Sequence, residues 1–195
     1  RLENRGFFFS EVDTEIHKNE KKKRASVLYE AEIPKPYTLE TYQLNSDSLQ
    51  IHKEMKALLD SSLLGTGSRF DLQTMKTERT RLDRKLKDQG YYNFNSEFLL
   101  FEADTNQYPD KKYDLYLRLK DEVPEKSLIP YRIKEVNVYS NYQIGQDSLE
   151  QEVIRFNGKT YIHKEEYFKP RRLDPFILIE ENDYYNPSIS SVTSM

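Results

Sequence analysis

The chain has 195 residues, room for one large domain or two to three small ones. Its 30 Lys and Arg against 33 Asp and Glu leave a net charge of −3, which gives no global bias toward nucleic acid. The absence of Cys excludes disulfides, thiol catalysis and Cys-based zinc sites together, and no run of about 18 apolar residues offers a membrane-spanning helix.

Arg1 opens the chain without an initiator Met or a signal peptide, which reads as an excised segment beginning at the end of a helix. Arg1-Leu-Glu-Asn-Arg-Gly-Phe-Phe8 recurs as Lys85-Leu-Lys-Asp-Gln-Gly-Tyr-Tyr92, so a repeat governs the fold. Strands are expected from Phe8 to Ile16 and from Ala25 to Ile33, around a polar turn from His17 to Arg24. The Lys21-Lys22-Lys23-Arg24 cluster in that turn suits solvent better than phosphate or lipid head groups, given the acidic balance. Pro34 and Pro36 then mark a boundary.

A third strand is expected from Tyr37 to Leu44. Asp47 and Gln50 read as a capping box ahead of a helix whose apolar stripe is Ile51, Met55, Leu58, Leu59 and Leu63. Gly65-Thr-Gly-Ser68 lacks the Gly-Lys-Ser/Thr of a phosphate loop and reads as a link. In the next helix Asp71 is the N-cap, Phe70 and Met75 a hydrophobic staple, and Leu72, Met75, Leu82 and Leu86 the buried stripe. Arg79 interrupts that stripe and is expected to pack its stem while its guanidinium reaches an acidic neighbour. Gly90 supplies a left-handed stop, with Tyr91 folded back on Leu86.

The Phe- and Leu-rich run from Phe94 to Ala103 reads as a strand, followed by a polar turn to Lys112. Tyr113 to Lys120 alternates strictly, with Tyr113, Leu115, Leu117 and Leu119 on one face. After a proline-bounded link (Pro124 to Pro130), Tyr131 to Asn141 reads as another opening strand. Tyr142-Gln-Ile-Gly-Gln-Asp-Ser-Leu-Glu150 repeats Tyr42-Gln-Leu-Asn-Ser-Asp-Ser-Leu-Gln50. The pattern then departs: Asn157-Gly158 predicts a tight hairpin in which Ile154 faces Tyr161. A short helix is expected within Lys169 to Ile179, and Glu181 to Pro187 stands where Gly65 to Asp71 stood. The expected division is a first repeat surviving as its tail at 1–36, a complete repeat at 37–127, and a truncated repeat with a hairpin insertion at 128–195.

Nothing in this pattern carries catalysis. His17, His52 and His163 are far apart with no zinc-ligand spacing and read as surface residues, and no Gly-x-Ser-x-Gly elbow is present. Glu165-Glu166 and Glu180-Glu181-Asn-Asp183 lack the alternation of a calcium loop and read as solvated turns. No catalytic residue, metal or cofactor is expected, and the chain is read as a non-enzyme.

The order strand, helix, helix, strand, strand, with a capped helix running into Gly90-Tyr91-Tyr92-Asn93-Phe94 and repeated head to tail, resembles the polypeptide-transport-associated (POTRA) domains. The run Glu78-Arg79-Thr80-Arg81-Leu82 through Phe94, followed by Glu102-Ala-Asp-Thr105, is similar to the periplasmic repeats of BamA/TamA-like outer-membrane assembly proteins of Bacteroidetes type. The resemblance implies an α+β fold of tandem POTRA-like repeats, each a small mixed sheet with two helices on one face. It also implies a soluble arm at the periplasmic face of the outer membrane. Its implied partners are unfolded outer-membrane polypeptides, an attached outer-membrane β-barrel and accessory lipoproteins, with no nucleic acid. In such a sheet the strand after the glycine-aromatic signal lies at an edge and accepts an extended peptide by strand addition. The expected binding residues are Phe94, Asn95, Ser96, Glu97, Phe98, Leu99, Leu100 and Phe101, with a second edge at Phe8, Phe9, Ser10, Glu11 and Val12. The rival readings are a scaffold or spacer that docks lipoproteins, and the POTRA part of a secretion or patatin-type outer-membrane protein.

Overall fold

The computed structural model describes residues 1–140, 151–163 and 168–193; the repeat at Tyr142 to Glu150 and the Glu165-Glu166 pair lie outside them. The chain forms two compact units, Arg1–Arg81 with Ser96–Asp121, and Leu82–Asn95 with Glu122–Met195.

The first unit opens on a 3-10 turn, Glu3–Arg5, which Gly6 ends in the left-handed region (φ 85°). β1 (Glu11–Asn19) and β2 (Arg24–Glu32) follow as an antiparallel ribbon whose residues are all exposed. Alternation puts Val12, Ile16, Val27 and Tyr29 on one face and Glu11, Asp13, Glu15, Glu30 and Glu32 on the other. The strand starts at Glu11 and not at Phe8, because Phe9 takes a positive φ (63°) that breaks extended backbone.

β3 (Thr38–Leu44), α1 (Gln50–Leu59), α2 (Leu72–Asp88), β4 (Leu99–Asp104) and β5 (Lys112–Leu119) then run strand, helix, helix, strand, strand. The three strands form one mixed sheet in the order β3-β5-β4. The last strand is therefore central, parallel to β3 and antiparallel to β4. Leu39, Leu64, Met75, Tyr113 and Leu115 make a buried cluster with Tyr37, Tyr42, Phe70 and Phe101 around it. Phe70 and Met75 thus join one core, as a staple requires. Asp71 Oδ1 accepts from the Gln73 and Thr74 amides (2.8 and 3.1 Å) and caps α2.

The capping box expected at Asp47 and Gln50 does not form. Asp47 Oδ1 instead accepts from the Leu49 amide (2.8 Å) and lies 2.6 Å from His52 Nδ1, while Gln50 donates to Glu54. The helix begins at Gln50 with Leu49 as its N-cap, so Asp47 stands two residues too early to cap it.

An ion pair joins the two helices of this unit. Glu78 is fully buried. Its carboxylate accepts from Arg81 Nε (2.7 Å), Arg81 Nη2 (2.8 Å) and the Leu63 amide (3.1 Å). Arg81 also donates to Leu58 O and Ser61 Oγ, which fastens the C-terminal end of α1 to α2.

In the second unit, the Tyr91 amide donates to Leu86 O (3.1 Å) and Gly90 N to Lys87 O (3.0 Å), with Gly90 at φ 98°, so the left-handed helix stop forms as expected. β6 (Asn137–Tyr139), β7 (Glu152–Phe156) and β8 (Lys159–His163) build a second mixed sheet in the order β6-β8-β7. The opening strand is shorter than the expected run from Tyr131 to Asn141, Arg132 making only an isolated bridge to Tyr184. Asn157 (φ 46°) and Gly158 (φ 74°) are both left-handed, the signature of a two-residue hairpin turn, and Ile154 faces Tyr161. Asp174 anchors this hairpin, accepting from Asn157 Nδ2 (2.8 Å), Lys159 Nζ (2.9 Å) and the Tyr161 hydroxyl (3.0 Å). α3 (Pro170–Leu173) continues into a 3-10 turn, Asp174–Phe176, shorter than the helix expected to Ile179, because Pro175 cannot supply a helical amide. α4 (Pro187–Thr193) closes the described chain.

Candidate functional site: the β4 edge

The sheet order leaves β4 at an edge, and among the described residues no strand pairs with its outer side. Which of its peptide groups face outward follows from one bond. Lys120 N donates to Phe98 O (2.9 Å), and Leu99 faces Leu119 one step further in register. An antiparallel ladder alternates, so the amides and carbonyls of Leu100, Glu102 and Asp104 turn toward β5, and those of Leu99, Phe101 and Ala103 face away. The outward row therefore holds three donors and three acceptors.

The expected peptide-contacting residues divide along this line. Leu99, Leu100 and Phe101 lie in β4, but Ser96–Phe98 form a 3-10 turn and Phe94 is buried at 2% exposure, so the strand is shifted toward the C-terminus of the run. Asn95 precedes the turn. Arg79 holds it: its Nε and Nη2 both donate to Ser96 O (3.0 and 2.8 Å), and Nη2 lies 3.0 Å from Glu97. The arginine that broke the apolar stripe thus fixes the entry to the edge strand. Along β4, side chains grade from Leu99 (fully buried) through Phe101, tilted against Tyr42 at 6.0 Å between ring centroids, to Glu102 and Ala103 (exposed). Arg118 pairs with Glu102 at 2.7 Å beside this row.

At the second expected edge, Phe8 and Phe9 form a turn, Ser10 follows it outside any strand, and only Glu11 and Val12 enter β1. Phe8 is held in edge-to-face contact with Tyr37 (5.6 Å) and Phe70 (5.2 Å).

His52 and His163 are not surface residues: both are buried, beside Asp47 (2.6 Å) and Glu152 (3.7 Å) respectively, while His17 is exposed. Among the described residues, no three His, Asp or Glu side chains converge to hold a metal. No helix among them is long and apolar enough to cross a membrane. Sequence reasoning missed the Glu78 and Asp174 centres. A Glu and Arg three apart on a helix signalled the first, but nothing local pointed to the second, whose donors lie 13 to 17 residues away in sequence.

The unit from β3 to β5 has the order strand, helix, helix, strand, strand expected of a POTRA-like repeat, with its last strand at the centre of a small mixed sheet. Among solved structures, the chain is similar to a Haemophilus influenzae BamA fragment holding POTRA3-5 (TM-score 0.46, 12% identity, 97% of this chain and 61% of that one). It is also similar to Haemophilus ducreyi BamA lacking POTRA domains 1-3 (TM-score 0.40, 14% identity, 59% of this chain and 20% of that one). A third likeness is to the N-terminal domain of Omp85 from the cyanobacterium Thermosynechococcus elongatus (TM-score 0.29, 11% identity, 99% of this chain and 65% of that one). The chain thus spans less than two thirds of each of these structures. No family model and no curated protein matches its sequence.

Proposed function

We propose that this chain is a POTRA-type module at the periplasmic face of the outer membrane, made of the three repeats expected at 1–36, 37–127 and 128–195. In this reading it receives unfolded outer-membrane polypeptides by strand addition and passes them to an attached β-barrel, with accessory lipoproteins as further partners. The observation that supports it is the open side of β4, where Leu99, Phe101 and Ala103 turn their peptide groups outward. Main-chain bonding there accepts any extended peptide with little demand on its sequence. Six such bonds contribute about 0.5–1.5 kcal/mol each, and ordering a disordered partner costs about 2–5 kcal/mol. What remains is a few kcal/mol, and about 4 kcal/mol corresponds to a Kd near 1 mM. Weak binding suits a surface that hands its client on.

The test is titration of the chain with extended, aromatic-ending peptides, followed by amide shifts in NMR. Shifts at Leu99, Phe101 and Ala103 are expected at millimolar peptide. If these resonances stay fixed while another surface responds, strand addition at β4 fails. Ala103→Pro removes one outward donor at an exposed position, where an edge strand tolerates proline, and should weaken binding roughly fivefold, the equivalent of one bond of about 1 kcal/mol. Tight binding of one fixed partner protein, with no response to unfolded peptides, would favour the scaffold reading instead.

A further inference from the structure

The two glycines that end the repeated helical motif do more than stop it. Gly6 O accepts from the Tyr37 amide (2.9 Å), and Tyr37 O accepts from the Phe70 amide (2.8 Å). Gly90 O accepts from the Tyr131 amide (2.8 Å), and Tyr131 O accepts from the Tyr185 amide (2.9 Å). The two relays are the same relay, built at two places in the chain.

Their surroundings repeat as well. Phe7 N bonds Leu2 O and Gly6 N bonds Glu3 O, as Tyr91 N bonds Leu86 O and Gly90 N bonds Lys87 O. Phe8 stands edge to face on Tyr37 and Phe70; Tyr92 does so on Tyr131 (6.4 Å) and Tyr185 (5.0 Å). The isolated bridge Thr38↔Arg69 is matched by Arg132↔Tyr184. In each case a side-chain cap follows: Asp71 for Gln73 and Thr74, Asn186 for Ser188 and Ile189. At the second place the cap residue also donates to Asp88 O (3.1 Å), and Ser188 Oγ to Asp88 Oδ1 (2.9 Å).

Glycine is required there twice over. Both sit at positive φ, and a Cβ on Gly6 would come within 3.0 Å of Phe70 Cβ and 3.2 Å of its carbonyl oxygen. One on Gly90 would meet Tyr131 O at 3.0 Å and Pro130 Cβ at 3.3 Å. Backbone on the far side cannot step aside as a flexible side chain would.

We infer that a tyrosine-led bridge and the aromatic residue before a helix cap form a socket for a helix end of sequence Gly-aromatic-aromatic, and that this socket joins successive repeats of the chain. Its partner is read through main-chain bonds and the flat faces of rings, so Phe and Tyr exchange freely while glycine does not. The joint is independent of peptide binding at β4.

Hydrogen exchange of the whole chain tests it. In Tyr92→Leu the Tyr131 and Tyr185 amides should exchange at least fivefold faster, with the β7–β8 hairpin amides unchanged, and Tyr92→Phe should match the original protein. Gly90→Ala should accelerate the same two amides tenfold or more. Phe8→Leu should accelerate Tyr37 and Phe70 while leaving Tyr131 and Tyr185 untouched. If the Tyr131 and Tyr185 amides keep their rates in Tyr92→Leu, or if the amides of the whole unit speed up together, no discrete joint exists and the inference falls.

Discussion

Replacing Glu78 by Gln keeps the side chain's shape and removes its charge. The carboxylate takes two bonds from Arg81 and one from the Leu63 amide, at 2.7 to 3.1 Å in a fully buried position. A glutamine has one acceptor oxygen, so at least one charge-assisted bond is lost, about 1.5–3 kcal/mol. Arg81 also loses its counter-charge, yet keeps Leu58 O and Ser61 Oγ. The total should therefore fall at the lower end of the about 3–5 kcal/mol seen when one member of a buried pair is removed. With a urea slope of about 1–3 kcal/mol/M, a loss of about 3 kcal/mol lowers the unfolding midpoint by roughly 1–2 M. A double-mutant cycle with Arg81→Met isolates the pair, and the expected coupling is about 2 kcal/mol. A coupling below about 0.5 kcal/mol would refute the reasoning, since that is the level at which independent sites already add. Acidity gives a second readout. Burial opposes the Glu78 charge, but hydrogen bonds from Arg81, Leu63 and Ser62 outweigh it and hold the carboxyl below its ordinary value. A carboxyl depressed on folding contributes stability above its unfolded value of 4.5 and loses it as pH falls through the folded one. That part of the acid limb should be missing in Glu78→Gln.

Two further outcomes follow from the second unit. Asp174→Ala strands Lys159, whose side chain is 5% exposed, and should cost about 3–5 kcal/mol, read as lost exchange protection from Lys159 to His163 with Asp174→Asn less affected. The Asp174 carboxyl is held low by donors from Asn157, then Lys159, then Tyr161, so this anchoring too should weaken as pH falls through the depressed value. Gly158→Ala meets no neighbouring atom, so only the left-handed backbone (φ 74°) opposes it; a melting shift equivalent to about 1–2 kcal/mol is expected, and a neutral outcome would show that the turn relaxes.

Local rules made much of the complete unit legible. Asp71 and Gly90 mark the ends of α2, and the alternation of Tyr113 to Lys120 marks the most buried of that unit's three sheet strands, the central one. The Asn157-Gly158 turn needed no more than two residues to be read. What escaped was competition between partners distant in sequence. Asp47 has the spacing of a capping box, but the helix starts at Gln50 behind Leu49 and Asp47 turns to His52; Phe94 has the composition of a strand, but burial and the Arg79 hold on Ser96 delay β4 to Leu99. At the candidate edge, composition marked a strand but not where it begins, because the turn before it is fixed from α2. The glycine motif was visible twice, but the Tyr37 and Tyr131 amides that bond it lie tens of residues away with no pattern of their own.

The central position of β5 has a consequence for how the sheet assembles. β3 is made early, yet among the described residues the strand it pairs with is β5, the last element of the unit, so its pairing must wait for that strand. The β4–β5 hairpin closes across a short turn, whereas β3 joins it only by closing a long loop in parallel register, the slower event. Refolding should thus show hairpin protection first and protection of Thr38 to Leu44 last. During vectorial synthesis the chain would carry β3 as an unpaired strand until Lys112 to Leu119 had emerged.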